Sequence, residues 1–241
     1  MLDRGRMVVH GRDYITEHKP SWEFELRGKP LRDLYEKDYQ VQQQLYAFNE
    51  TTRHFFNNDR ENPYRYEPGG FLWHRANVVG GRSLLWGKQT YRWSDLDFAA
   101  NSKDGHGIDW PIRYKDIAPW YSHVENFVGI SGQEENLPHL PDSDFLPPME
   151  MNIIEKEVKA SIEKNYKDRM MTIGRCAVLT QPHNGRGACH YCGPCERGCS
   201  VGAYFSTQSS TLPAAQKTGN LVLKSDCVVA GIDYDPVTKR A

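Results

Sequence analysis

The chain is short of most features that would set it apart from ordinary globular proteins. No apolar run approaches the ~18 residues that a membrane span requires. Its 30 basic residues are balanced by 31 acidic ones, a formal net charge of −1. No field of one sign is therefore available to draw in nucleic acid or an anionic membrane surface. The first ten residues, Met1 to His10, carry Asp3, Arg4 and Arg6 where a signal peptide would have an apolar stretch. Also missing are the phosphate-binding runs G-x-G-x-x-G and G-x-x-x-x-G-K-S/T, the metalloprotease run H-E-x-x-H, and any internal repeat. These absences exclude transmembrane, collagenous, coiled-coil and wholly disordered classes. A length of 241 residues, 39% of them hydrophobic, with a mean hydropathy of −0.70, describes a globular chain, polar for its size. It is long enough for one large domain or two small ones.

The cysteines stand out from this background. Of six in the whole chain, Cys189, Cys192, Cys195 and Cys199 fall within eleven residues, as C-x2-C-x2-C-x3-C. Such intervals let the backbone curl about a polynuclear centre, and they match the spacing of bacterial-type iron–sulfur ligation. That pattern ends Cys-Pro, whereas Ser200 follows here. Its fourth cysteine usually serves a second cluster, so three cysteines holding a three-iron centre is a feasible variant, with Cys176 and Cys227 as spare thiols. Zinc held by three of these cysteines and His190 is an alternative, although the ~15–20-residue gap of a zinc ribbon is missing. Disulfides are another alternative, in a chain whose size does not call for staples.

Periodicity predicts a short helix near Leu31, Leu34 and Tyr35. A longer one is predicted from Ile117 to Val128, with Pro119 in its first turn and Gly129 as its stop. Ile154, Val158 and Ile162 mark a second amphipathic helix, and Thr211–Lys217 another, ended by Gly219. Residues 133–148, with four prolines, read as an extended connector. Residues 171–180, Leu221–Leu223 and 228–234 read as strands. Met1–Val9 reads as the exit of a strand into a tight turn, and Asp235–Lys239 as a hairpin turn whose second strand is cut short. Both ends thus interrupt secondary structure, which is expected of an internal piece of a longer protein. Gly80-Gly81 lies between apolar runs, where missing Cβ atoms would allow a flat or phosphorylated ligand to approach; a plain turn would look the same. The scattered histidines, including His74 and His183, carry no signal of a catalytic base, and the Trp and Tyr excess over residues 64–121 suits packing as well as a pocket.

Three segments together resemble the glucose–methanol–choline (GMC) oxidoreductases, in particular bacterial FAD-dependent glucose, sorbitol and gluconate dehydrogenase subunits. Val78-Val79-Gly80-Gly81-Arg82-Ser83-Leu84-Leu85-Trp86-Gly87 resembles the flavin-contacting VGGxSxxW turn. Gly107–Ile112, running on to Pro119-Trp120-Tyr121, is similar to the family's DWPI…PYY stretch. Cys195–Ala203 followed by Thr211–Ala215 resembles a segment that carries an iron–sulfur cluster in some members.

The resemblance implies an α/β, Rossmann-like FAD/NAD(P)-binding fold, here incomplete, without its first strand and its C-terminal part, and with the start of a substrate domain. The corresponding division is 1–130 for a partial FAD-binding domain and 131–188 for a connector and the start of the substrate domain. Residues 189–204 form the cysteine loop, and 205–241 return to the FAD-binding domain. By the same resemblance Asp3 holds the FAD ribose. Gly80, Gly81, Ser83 and Trp86 form the flavin turn, and the Val229 backbone meets the adenine. Cys189, Cys192, Cys195 and Cys199 hold a 4Fe-4S or 3Fe-4S cluster. Leu85 stands where flavin-linking members have histidine, implying non-covalent FAD; Trp86, where many alcohol oxidases have asparagine, favours the dehydrogenase branch. The implied reaction passes a hydride from an alcohol or sugar to flavin, with electrons leaving through the cluster to a cytochrome or small subunit. The family's histidine base has no counterpart here, so the 241 residues are expected not to turn over alone. A non-catalytic zinc or cysteine-cluster module is the competing expectation. The compartment is left open.

Overall fold

The computed structural model describes residues 1–63 and 69–241; residues 64–68, where the aromatic-rich stretch begins, lie outside the described residues. Six α-helices form among them: α1 (Arg32–Asp38), α2 (Asp95–Phe98), α3 (Ala100–Asp104), α4 (Tyr114–Val128), α5 (Ile153–Asn165) and α6 (Thr211–Lys217). The chain divides into two compact units. The first takes Met1–Trp86, Cys192–Ser200 and Ser206–Ala241, and the second Gly87–Tyr191 and Val201–Phe205.

In the first unit an aromatic core holds Tyr14, Tyr35, Tyr39, Phe48, Phe55 and Phe56 around Val8, Val78, Leu84 and Leu85. The rings meet mostly edge-on, Tyr35 on Phe48 at 4.9 Å and Phe48 on Phe56 at 5.2 Å between centroids, as ring quadrupoles prefer. α1 adds Tyr35 to this core from the helical pattern that the sequence shows. Beside the core three extended segments run parallel. Leu2 bridges Lys224 on one side, and Arg6 bridges Val78 on the other. Gly5 is required at this pairing, because a Cβ there would fall 2.4 Å from the Val78 backbone nitrogen. α6 forms over the expected residues, with Pro213 in its first turn, where a missing N–H does no harm.

In the second unit α4 begins three residues ahead of the expected Ile117, so Pro119 lies inside the helix. Its start is fixed by two carboxylates: Asp116 accepts the Arg113 N–H at 2.8 Å, and Asp95 accepts that of Tyr114 at 2.8 Å. Its stop is Gly129, at φ +79°. The last carbonyls are met by a turn at 183–186: Asn184 donates to Phe127 O at 3.0 Å, and the Arg186 guanidinium donates to Val128 O. Arg92 anchors the helix face through Glu125 at 3.1 Å and the Tyr114 hydroxyl at 2.8 Å. Extended backbone around Cys176 bridges Gln89 and Ser131 antiparallel, and Val178 bridges Tyr204. α5 starts at an Asn152–Glu155 capping box, yet Ile153 and Ile154 stay exposed. Of its predicted apolar stripe, Ile154 and Val158 are exposed and Ile162 is half-buried.

Candidate functional site

The glycine turn follows directly from the parallel pairing. Arg6 N–H donates to Asn77 O at 3.3 Å and receives Val79 N–H on its own carbonyl at 2.9 Å, which fixes the strand that enters the turn. Val78 and Val79 are buried. The chain then reverses through Gly80 at φ +81° and Gly81 at φ +56°, left-handed conformations that side chains with a Cβ resist. A short 3-10 turn, Gly81–Leu84, carries it onward.

Two side chains and one backbone segment hold this turn from outside. Asp3 accepts Gly5 N–H at 2.7 Å through Oδ1 and Gly80 N–H at 3.4 Å through Oδ2. Ser83 Oγ accepts the N–H of Thr207 at 3.0 Å. The Gln208 amide donates to Val79 O. Asp3, Gly80, Gly81 and Ser83, named from the sequence, thus come together, and Trp86 is half-buried at the end of the same run. Val229 is exposed, two residues beyond Cys227, whose N–H donates to Asp3 O at 2.9 Å.

The glycines respond differently to an added side chain. At Gly80 a Cβ would fall 2.8 Å from Thr207 Cβ and 2.9 Å from Gln208 Nε2. At Gly81 it would meet nothing within 4 Å. One side of the turn is therefore packed against protein, and on the other the Cβ direction of Gly81 faces open space. That arrangement fits a flat ligand resting on Gly81. Sequence reading missed Thr207 and Gln208, which sit in the polar run Ser206–Ser210. The available signal was that Ser206 and Gln208, both polar, are each only 2% exposed once the chain folds; no periodicity announces such burial.

The cysteine loop is clamped by residues the sequence did not single out. Ser200 donates to Glu17 through both its N–H, at 2.7 Å, and its hydroxyl. Arg197 donates to Lys19 O at 2.9 Å and covers the Phe24 ring. Gly198, at φ +103°, lies against Tyr14, where a Cβ would fall 2.4 Å from the ring. Burial pushes the Tyr14 phenol up, while a hydrogen bond with Ser206 opposes the shift. Pro194, at φ −78° and ψ 59°, centres an inverse γ-turn closed by Cys195 N–H on Gly193 O at 2.7 Å. None of the six cysteines is in a disulfide, and Cys192 is the exposed one. Among the described residues no three His, Cys, Asp or Glu side chains converge on a point that could hold a metal ion. The side chains as they stand therefore do not form the ligand set that the spacing implies.

The profile of the GMC oxidoreductase family matches residues 67–241, well over half of the chain. The chain belongs to the GMC oxidoreductase family. GMC oxidoreductases bind FAD on a Rossmann-like fold. Similar proteins include 2-methyl-1,2-propanediol dehydrogenase of Mycolicibacterium austroafricanum, 26% identical over 66% of this chain and 28% of the relative. The fructose dehydrogenase large subunit of Gluconobacter japonicus is 26% identical over 63% of this chain and 28% of the relative. Paromamine 6'-oxidase of Streptomyces fradiae is 28% identical over 56% and 24%. The chain thus spans about a quarter of the length of these relatives. No helix among the described residues is long and apolar enough to cross a membrane.

Proposed function

We propose that these residues are the flavin-facing part of a GMC dehydrogenase that oxidises a CH–OH group of a sugar, polyol or related alcohol. The observation that carries this reading is the Gly80–Gly81 turn, packed on its Gly80 side and open at Gly81, inside the region matched to the family. Asp3 would hold the ribose hydroxyls, Gly80, Gly81, Ser83 and Trp86 the flavin and its diphosphate, and the Val229 backbone the adenine. Leu85 leaves no histidine for a covalent link at that position, so the flavin is held non-covalently. Bound flavin supplies a hydride acceptor for the alcohol carbon while a base takes the hydroxyl proton. We assign no base among these residues; their task is to bind and orient. Residues 131–188 would begin the substrate domain.

For the electrons' exit we propose an iron–sulfur cluster on Cys189, Cys192, Cys195 and Cys199, serving a cytochrome or small subunit. Its support is the C-x2-C-x2-C-x3-C spacing, together with a relative described as a large subunit. The present side-chain arrangement lends it none.

The test is anaerobic purification, a visible spectrum, and assays of FAD, iron, sulfide and zinc on one sample. The reading expects acid-released FAD and, for the cluster, about three or four iron and sulfide per chain, lost in Cys195→Ser. Zinc in a colourless protein that ignores added FAD would replace the dehydrogenase reading with a structural metal module.

A further inference from the structure

We propose that Gln208 is the positioning residue of the flavin turn, setting how firmly the turn binds FAD and how it presents its backbone. The proposal rests on the flavin reading above and deepens it.

Gln208 is 2% exposed, and its amide does two things at once. Nε2 donates to the carbonyl of Val79, the last peptide before the reversal, so the orientation of the Val79–Gly80 peptide plane depends on that bond. The same amide, with Thr207, occupies the space beside Gly80 where any Cβ would go. A buried glutamine is costly unless its donors and acceptor are used, yet Oε1 has no partner and no contact with solvent. Leucine or methionine would fill the same volume without that penalty. A residue kept at the expense of an unmet acceptor is there for its donor, and the donor's only described acceptor is Val79 O.

The anchoring of Gln208 points the same way. Thr207 N–H is tied to Ser83 Oγ, while Thr207 O accepts Leu212 N–H at 2.9 Å in the first turn of α6. Ser206 and Ser209 hydroxyls bond each other at 3.0 Å. Gln208 therefore projects from a rigid bend that is itself stitched to the far end of the glycine turn. Asp3 holds Gly80 N–H while Gln208 holds Val79 O, so the single Val79–Gly80 peptide group that enters the reversal is held at both ends, and the Cβ side of Gly81 faces open space.

The experiment compares the wild-type chain with Gln208→Met, which keeps length and lack of branching but has no N–H. FAD is titrated by quenching of flavin fluorescence, the visible flavin spectrum is recorded at saturation, and folding is followed by circular dichroism with and without FAD. Loss of one buried hydrogen bond predicts about tenfold weaker FAD binding, with an altered band shape at saturation and an apo-protein melting temperature that moves little. Equal affinity and an identical spectrum in Gln208→Met overturn the proposal. So does normal behaviour of Gln208→Glu, which keeps the shape of the side chain but, as a carboxylate, has no N–H to give Val79 O, and that variant decides the matter if Gln208→Met does not fold. A wild-type chain that does not bind FAD refutes the flavin reading itself, and this inference with it.

Discussion

Asp3 and Gly80 are 77 positions apart and joined by one hydrogen bond, from the Gly80 N–H to Oδ2 of the carboxylate at 3.4 Å. The other oxygen of Asp3 closes the turn at Gly5. One side chain thereby couples the exit of the first parallel segment to the glycine reversal, and it leaves Gly81 as the uncovered point of the turn.

This asymmetry predicts opposite profiles for two adjacent substitutions. Gly80→Ala must push Thr207 and Gln208 aside and adopt a left-handed conformation, so urea unfolding should show a loss of about 2–4 kcal/mol. Gly81→Ala meets only the backbone penalty, about 1 kcal/mol, and stays folded, yet its new methyl enters the open face and FAD binding falls far more than stability. Retained FAD affinity in Gly81→Ala would argue against the flavin lying there.

The clamp on the cysteine loop is separately testable. Glu17 is buried and accepts both donors of Ser200. Replacing it with alanine leaves the Ser200 N–H unpaired and should lower stability by about 1–3 kcal/mol. The loop should also loosen, so Cys199 should react faster with a thiol reagent in Glu17→Ala than in the wild type. Unchanged Cys199 reactivity would show that Glu17 does not restrain the loop.

What could be read from the sequence was whatever local chemistry decides. Gly129 and Gly219 stop their helices, Asn152 and Glu155 start α5, and two adjacent glycines between apolar runs announced the reversal. What could not be read depends on partners remote in the chain. Pro119 suggested a helix starting at Ile117, but Asp95, nineteen residues before Tyr114, adds an earlier start. The apolar stripe of α5 was legible as a pattern, while its exposure was not. Gln208 and Glu17 look like ordinary polar residues until folding buries them against Val79 and Ser200. Nor does C-x2-C spacing say whether the sulfurs will converge.

Arg92 and Glu125 make a prediction about the second unit. Arg92 is 7% exposed and loses solvation, yet bonds with Glu125 and Tyr114 more than compensate and raise its pKa further. Glu125 also accepts the Ser143 hydroxyl. Glu125→Leu leaves a buried guanidinium without a counter-charge and should destabilise by about 3–5 kcal/mol. The double variant Arg92→Met, Glu125→Leu removes the orphaned charge and should recover a large part of that loss. A double variant as unstable as the sum of the single ones would mean that the two side chains act independently.

His54 gives the chain a pH response of predictable sign. Its ring lies 4.0 Å from that of Phe55, and its Nε2 is buried without a hydrogen-bond partner. Burial first, then the Arg6 and Arg53 cations, lower its pKa to about 4. An exposed histidine in the unfolded chain takes a proton near pH 6.5. As pH falls below 6.5 the unfolded state therefore binds a proton that the folded state refuses, and stability declines until the pH has passed through 4, below which both are charged. The full contribution is present above pH 6.5, and the loss across this window is on the order of 3 kcal/mol, about 2 of them by pH 5. That upper part of the window is diagnostic, because ordinary carboxylates titrate mostly below it. Urea unfolding at pH 7 and pH 5 should show the drop in the wild type and a much flatter response in His54→Phe, which keeps an aromatic ring beside Phe55. An equal drop in His54→Phe would assign the pH response to another group.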